Sequence, residues 1–345
     1  MGTTMSKSTY YERQIKLDEI GEDGQKKLKN AHVLVIGAGG LGSPLLHYLS
    51  VAGVGNITIY DHDTIDESNL HRQILFTPED IGLNKAKISK LKLSKINPAI
   101  TIQAYSEKFN QNINISEYDI IVECTDSLRT KFLAHDLAYK HNKIFIVASL
   151  HKFEGQIQSF DFSNSNELSP CMRCLWGERP DDTGVETCEE VGVLGAVPGV
   201  IGTMQALEVL KTILEMRRLM NEENLILNLM DLSTVKLKLN KNKDCILCSE
   251  DKKDIIESDE EIEITYDKES QGNFVVISLI QQDKIETAMT STLENIIKDT
   301  ALIQKDKKIS VICNRGISSL KATKILRANG FKNSYSIRDG LQGLK

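Results

Sequence analysis

The stretch Val33-Leu-Val-Ile-Gly-Ala-Gly-Gly-Leu-Gly-Ser-Pro44 decides the fold class of this chain. Its leading apolar residues are too few for a helix and run straight into glycine, so they read as a buried strand. Gly37, Gly39, Gly40 and Gly42 form the turn that follows, and Leu41–Val51 reads as a helix. A strand, turn and helix in that order leave free backbone N–H groups at a helix N-terminus, where they bind phosphate oxygens. Glycine is needed there because a Cβ would hold the backbone away from the phosphates. The spacing Gly37-x-Gly39-x-x-Gly42 fits the dinucleotide fingerprint, and Asp61 stands near the right distance downstream to hold a ribose hydroxyl. The turn implies a nucleotide without saying which one.

Outward from that turn, strands are expected near Ala31–Ile36, Asn56–Tyr60, Ile100–Tyr105, Ile120–Glu123 and Ile144–Ser149. Helices Leu41–Val51, Asn84–Ile96 and Leu128–Lys140 alternate with them, and a polar amphipathic helix over Tyr10–Leu28 precedes them. This alternation predicts an α/β fold, Rossmann-like, with a mostly parallel sheet covered on both faces. After Leu150 the pattern becomes a β-rich continuation, with strands at Phe153–Phe162, Leu225–Met230 and Val235–Leu239 and an apolar helix from about Val200 to Leu219. Residues 249–264 are acidic and read as a linker between a first domain, 1–248, and a second, 265–345. In the second, Phe274–Ile280 and Ile309–Ile312 read as strands and Ile317–Asn329 as a helix.

The bulk properties narrow the class. At 345 residues there is room for two cores, and a formal charge of −6 without a Lys/Arg block argues against nucleic acid. No apolar run approaches the roughly 20 residues needed to span a bilayer. Met1–Tyr11 carries no apolar signal core, so a cytoplasmic protein is expected. The odd cysteine count, 7, fits a reducing compartment better than a disulfide framework. Cys171-Met-Arg-Cys174 and Cys245-Ile-Leu-Cys248 are two C-x-x-C knuckles, which suit tetrahedral Zn²⁺. Four thiolates leave no open position for water, so the expected role is structural. Four buried cysteines without metal, or a redox dithiol, are the alternatives.

What the nucleotide is for turns on Asp61-His-Asp63-Thr-Ile-Asp-Glu-Ser68-Asn69-Leu70-His71-Arg72-Gln73 and on Lys85, which opens the next helix. A nicotinamide site uses Asp61 but has little use for an arginine and a lysine converging on phosphates. Cleaving a triphosphate does need them, because fixed cations stabilise the charge that builds on the α-phosphate and the departing pyrophosphate. Asp126 ends the strand Ile120–Glu123 at the carboxyl edge of the sheet, placed to hold Mg²⁺ or orient a substrate carboxylate. Taken singly, Arg72 and Lys85 could be surface charges and Asp126 a helix cap.

In order along the chain, Arg13-Gln14, Gly37–Pro44, Ser68–Gln73, Lys85, Cys124-Thr-Asp126, the paired knuckles, Val193-Leu-Gly195 and Gly199-Val-Ile-Gly202 resemble the ThiF/MoeB/HesA family over about Tyr10–Cys248. These are ubiquitin-activating-type adenylyltransferases. The resemblance implies ATP-dependent adenylation of the C-terminal glycine of a ubiquitin-like sulfur-carrier protein. By motif match, Asp61 contacts ribose and Asn69, Arg72 and Lys85 hold the phosphates, with Asp63, Ser68, Leu70, His71, Gln73 and Ser127 among the other nucleotide-binding residues. Asp126 serves Mg²⁺ and the chemistry. Arg13 matches an arginine lent to the partner subunit's site, which implies a homodimer. A nicotinamide-dependent oxidoreductase and a silent scaffold that binds a ubiquitin-like protein are the rival classes.

Two further cysteines carry expectations. Cys188 matches the family position that bonds covalently to the carrier, and its glycine-rich flanks imply a loop able to bring up a thiol. Glu186, Glu189 and Glu190 would raise its pKa, so an inert thiol stays open. Ile312-Cys313-Asn-Arg-Gly-Ile-Ser-Ser319 follows a short strand and opens a helix, a setting that favours a thiolate. This loop resembles the active loop of rhodanese sulfurtransferases, which implies a small rhodanese-like α/β domain whose Cys313 takes sulfur from a persulfide donor. Asn314 and Ser318 stand where those enzymes often carry arginine, and Ile277-Ser278-Leu279 replaces an expected Asp-Val-Arg. A docking module is the alternative.

Overall fold

The computed structural model describes residues 10–163, 169–177, 192–219, 222–249, 263–264, 266, 272–282, 284–314, 316–338 and 340–343. They fall into two compact units, one ending in the region of residue 258 and the other continuing to the C-terminus.

In the first unit, strands β1 (His32–Ile36), β2 (Asn56–Tyr60), β3 (Thr101–Tyr105), β4 (Ile120–Glu123), β5 (Ile144–His151), β6 (Glu154–Asp161), β7 (Glu223–Asn228) and β8 (Ser233–Lys238) form one sheet. Its order is β3-β2-β1-β4-β5-β6-β7-β8, parallel from β3 to β5 and antiparallel from β5 to β8. Alternate residues of β1 explain its unbroken apolar run. Val33 and Val35 enter the core with Leu45, Leu46 and Leu49 of helix Gly42–Ala52. Leu34 and Ile36 enter a second core on the other face, with Phe132, Leu133 and Leu137 of helix Leu128–Lys140. The mostly parallel sheet and its β-rich continuation are as expected, and the structure adds that the continuation is antiparallel and joins the same sheet.

Two helices differ from expectation. Tyr10–Leu28 is not one helix but two, Glu12–Ile15 and Gly21–Asn30. The short one is tied sideways: Asn97 donates to the Tyr11 hydroxyl at 2.7 Å, and Gln14 donates to Ala52 O at 2.8 Å. The chain must then turn before the next helix, which begins at Gly21 with φ +55°. The apolar helix spans Ala196–Ile213, earlier than about 200–219, and the chain leaves it through Glu215 in the left-handed region, at φ +57°.

The second unit contains a parallel sheet in the order β11-β10-β12-β13-β9, with β9 Glu263–Ile264, β10 Val275–Ser278, β11 Met289–Thr290, β12 Ile309–Ile312 and β13 Ser334–Ile337. Ile277, Ile309 and Val311 pack with Ala322 and Leu326 of helix Ile317–Ala328. The last two residues of the acidic stretch, Glu263 and Ile264, pair with Ser336 and Ile337.

Candidate functional site

The glycine turn lies at the carboxyl edge of the first sheet, beside the point where strand order reverses between β1 and β4. That crevice is where open α/β sheets bind ligands. Each position of the turn meets a different candidate. Gly37 has φ +94°, and a Cβ there would lie 2.9 Å from the Thr125 methyl carbon. The Ala38 N–H donates to Asp61 Oδ2 at 2.7 Å. A Cβ on Gly39 would sit 3.6 Å from the Gln73 side-chain nitrogen, and one on Gly40 would sit 3.9 Å from Arg72 Cδ. At Gly42 no side chain is possible, since its Cβ would be 2.1 Å from Gly37 O.

The surrounding loops hold these residues in place. Asn69 is buried and accepts from Asp66 N at 3.3 Å in a capped turn of 3₁₀ helix. Arg72 Nη1 donates to Ser68 O at 2.7 Å. The start of helix Ala196–Ile213 rests on this segment, because a Cβ on Gly195 would lie 2.1 Å from His71 O. Ser68 and His71 are exposed and Leu70 is half-buried. Gln73 is buried beside Gly39, and its Oε1 has no hydrogen-bond partner among the described residues. An orphaned buried acceptor of this kind fits a site completed by ligand or water.

Asp61 accepts from Asp63 N at 2.9 Å as well as from Ala38. Burial pushes its carboxyl above the ordinary value, opposed by the Ala38 N–H and the Lys85 charge. Lys85 is itself buried, and its Nζ donates to Asp63 Oδ2 at 3.1 Å. Asn84 clamps the two loops together, donating to the backbone oxygens of Asp61 and Asp63 at 3.0 Å each. Asp126 is exposed on the loop after β4. It is not the cap of the next helix: Ser127 is, accepting from Thr130 N at 3.2 Å. Arg13 is exposed on helix Glu12–Ile15.

Sequence reading missed a layer beneath this site. Glu123 is fully buried, and its Oε2 is paired with Lys131 Nζ. Burial drives its carboxyl up, with Lys131 opposing. The one available signal was a glutamate at the end of an otherwise apolar buried strand, which demands a partner.

The four knuckle cysteines converge as expected, with their ligand atoms all within 4.8 Å of one another. Sulfur separations are 3.9 Å for Cys171–Cys174, 3.6 Å for Cys171–Cys245 and 3.4 Å for Cys174–Cys248. Thiolates about 2.3 Å from a tetrahedral metal lie roughly 3.8 Å apart. Their mutual hydrogen bond pushes the Cys171 thiol up and the Cys174 thiol down. The Met172 N–H donates to His135 Nε2 at 3.0 Å, which leaves Nδ1 to donate to Asp136 Oδ1 at 2.9 Å. Arg173 grips Asp136 with two nitrogens, at 3.2 and 2.7 Å, and lies 4.6 Å over the Phe132 ring.

In the second unit Cys313 is buried at the start of helix Ile317–Ala328, its Sγ accepting from Ser319 N at 3.3 Å. Ser319 Oγ lies 3.4 Å from that sulfur and 2.9 Å from Ser336 Oγ. Cys188, with Glu186, Glu189 and Glu190, lies outside the described residues, as does Arg315. Among the described residues no helix is long and apolar enough to cross a membrane.

The ThiF family profile matches residues 11–247. A Thermus thermophilus protein named sulfur carrier protein adenylyltransferase is 35% identical over 245 residues, covering 70% of this chain and 90% of that one. An Ogataea parapolymorpha protein named adenylyltransferase and sulfurtransferase uba4 is 32% identical over 379 aligned positions, covering 99% of this chain and 96% of the relative. Among solved structures, Escherichia coli MccB with selenomethionine MccA superposes with a TM-score of 0.60 at 21% identity, over 71% of this chain and 75% of that one. That likeness carries the fold, and the profile together with the two relatives carries the family: the chain belongs to the ThiF family.

Proposed function

We propose that this protein adenylates the C-terminal glycine of a ubiquitin-like sulfur-carrier protein with ATP, releasing pyrophosphate. The observation that carries the reading is the set of neighbours around one glycine turn. Positions 37 to 40 meet Thr125, Asp61, Gln73 and Arg72 in turn, with Lys85 next to Asp63. The turn and the helix N-terminus behind it hold phosphate oxygens. Asp61 anchors the ribose. Arg72 and Lys85 stabilise the pyrophosphate as the carrier carboxylate attacks the α-phosphorus in line. Asp126 would hold Mg²⁺, which would supply charge neutralisation at the phosphates. Much of the acceleration comes from orienting carboxylate against phosphate. Asn69, from a buried turn, and Arg13, lent by a second subunit of a homodimer, complete the phosphate contacts.

A persulfide on Cys313, charged by a separate persulfide donor, then displaces AMP from the acyl adenylate and starts thiocarboxylate formation. The Ser319 N–H aimed at Cys313 Sγ supports this, since it stabilises sulfur anion. Cys171, Cys174, Cys245 and Cys248 would hold a structural Zn²⁺, and a reducing cytosol suits these thiols.

The test is carrier-dependent ATP–pyrophosphate exchange, using ubiquitin-fold proteins ending in Gly-Gly as probes. Wild type exchanges, and Arg72→Ala loses about 100- to 1,000-fold. NAD(H) binding with no exchange would point to the oxidoreductase class instead.

A further inference from the structure

The loop between β4 and helix Leu128–Lys140 is fastened from below by a network of buried groups. Lys131 Nζ uses all three of its protons. It donates to Glu123 Oε2, to Thr125 O at 2.6 Å and to Ala148 O on β5 at 2.9 Å. The other carboxylate oxygen, Glu123 Oε1, accepts from Thr125 N at 2.7 Å and from the Thr125 hydroxyl. Gln205, on helix Ala196–Ile213, donates to Glu123 O at 2.8 Å. Across Asp126, the Ser127 N–H reaches back to Thr125 Oγ1 at 3.2 Å.

Asp126 is therefore the exposed residue of a turn whose two neighbours are both fixed. The Thr125 methyl also seats beneath Gly37, so the same clamp meets the phosphate-binding turn. A buried ion pair is weak evidence for stability, because apolar residues of similar volume often stabilise as well or better. What this pair supplies is geometry: a charge network with every donor used holds one backbone path.

We propose that Lys131, acting through Glu123 and Thr125, is a positioning residue that sets Asp126 against the glycine turn for the chemical step. This rests on the adenylation reading. Misplacing a reacting or metal-holding group by about 1 Å costs on the order of 100-fold in rate without requiring loss of substrate binding.

The test uses the full-length protein in ATP–pyrophosphate exchange with a ubiquitin-fold probe ending in Gly-Gly. Lys131→Met is expected to lower kcat by about 100-fold while KM for ATP stays within about threefold. Lys131→Arg, which keeps the charge, is expected to recover part of that loss. Thr125→Val keeps the methyl under Gly37 and removes the hydroxyl, for an expected loss of about tenfold. It decides the matter alone if Lys131→Met does not fold. Neither change is expected to slow Asp126→Ala further, whereas a merely structural role would multiply the losses. An unchanged kcat in the folded variants, or losses that multiply with Asp126→Ala, overturns the inference while leaving adenylation standing. No exchange in wild type overturns both.

Discussion

Helix Leu128–Lys140 serves two regions of the first unit in opposite ways. At its N-terminal end, Lys131 and Glu123 are paired and buried, yet the loop they fasten leaves Asp126 exposed. Four residues further along the helix, His135 and Asp136 face the cysteine knuckle, and there the polar groups are spent internally. His135 bridges Met172 N and Asp136, and Arg173 closes on the same carboxylate. One end is a clamp under an exposed loop residue. The other is a closed socket around four sulfurs. Charge that must act on a ligand needs a free side toward solvent, whereas charge that only holds shape is best fully satisfied.

The contrast can be broken first at the socket, where the largest effect is expected. Metal bound by four thiolates contributes about 10 kcal/mol or more of apparent binding free energy. Cys245→Ser is expected to abolish zinc binding, read by metal analysis, and to lower the thermal midpoint sharply. A wild-type protein that purifies without metal and melts at the same temperature with or without chelator would show that the four sulfurs hold no structural metal.

Arg173→Ala tests the polar collar without touching a metal ligand. It leaves buried Asp136 with the His135 Nδ1 hydrogen bond but without its charged partner, for an expected loss of about 3 kcal/mol in denaturant unfolding. ATP affinity should be unchanged, since Arg173 belongs to the closed region. A matching loss of ATP affinity would show that the two ends are not separable.

A smaller effect is expected away from both ends. Burial alone would raise the Asp80 carboxyl, but Lys92, the Thr77 N–H at 2.7 Å and the Thr77 hydroxyl outweigh it and hold it below its ordinary value. Its stabilisation is therefore present above the unfolded-state pKa of about 3.9 and is lost as pH falls through the lower folded value. Asp80→Asn should melt below wild type at pH 7 and converge with it in acid. A gap that stays constant with pH would assign the effect to packing.

How much was legible in the sequence follows from how local each feature is. The glycine turn, Asp61, Lys85 and the two knuckles are written in short spacings; the structure sets Asp61 against the turn, Lys85 against Asp63 and, elsewhere, the four cysteines against one another. The clamp and the collar were not legible. His135 and Asp136 lie 37 residues from their partners in the knuckle, and nothing in helical periodicity separates a buried paired lysine such as Lys131 from a solvated one. Strand β13 was missed for a related reason. Its Ser334 and Ser336 look like loop residues, but both are buried with their hydroxyls engaged, Ser334 to Phe331 O and Ser336 to Ser319. The N-terminal helix failed in the other direction, its sound local periodicity overridden by Tyr11 and Gln14 reaching across to Asn97 and Ala52.

The open region should act on the α-phosphorus, and that can be observed directly. In a single turnover with a ubiquitin-fold carrier ending in Gly-Gly, label on the α-phosphate of ATP should move onto the carrier as an acyl adenylate. Label on the γ-phosphate should leave as pyrophosphate, and Asp126→Ala should suppress both by about 100-fold or more. Release of γ-label as inorganic phosphate, with no α-label on any carrier, would contradict adenylation at this site.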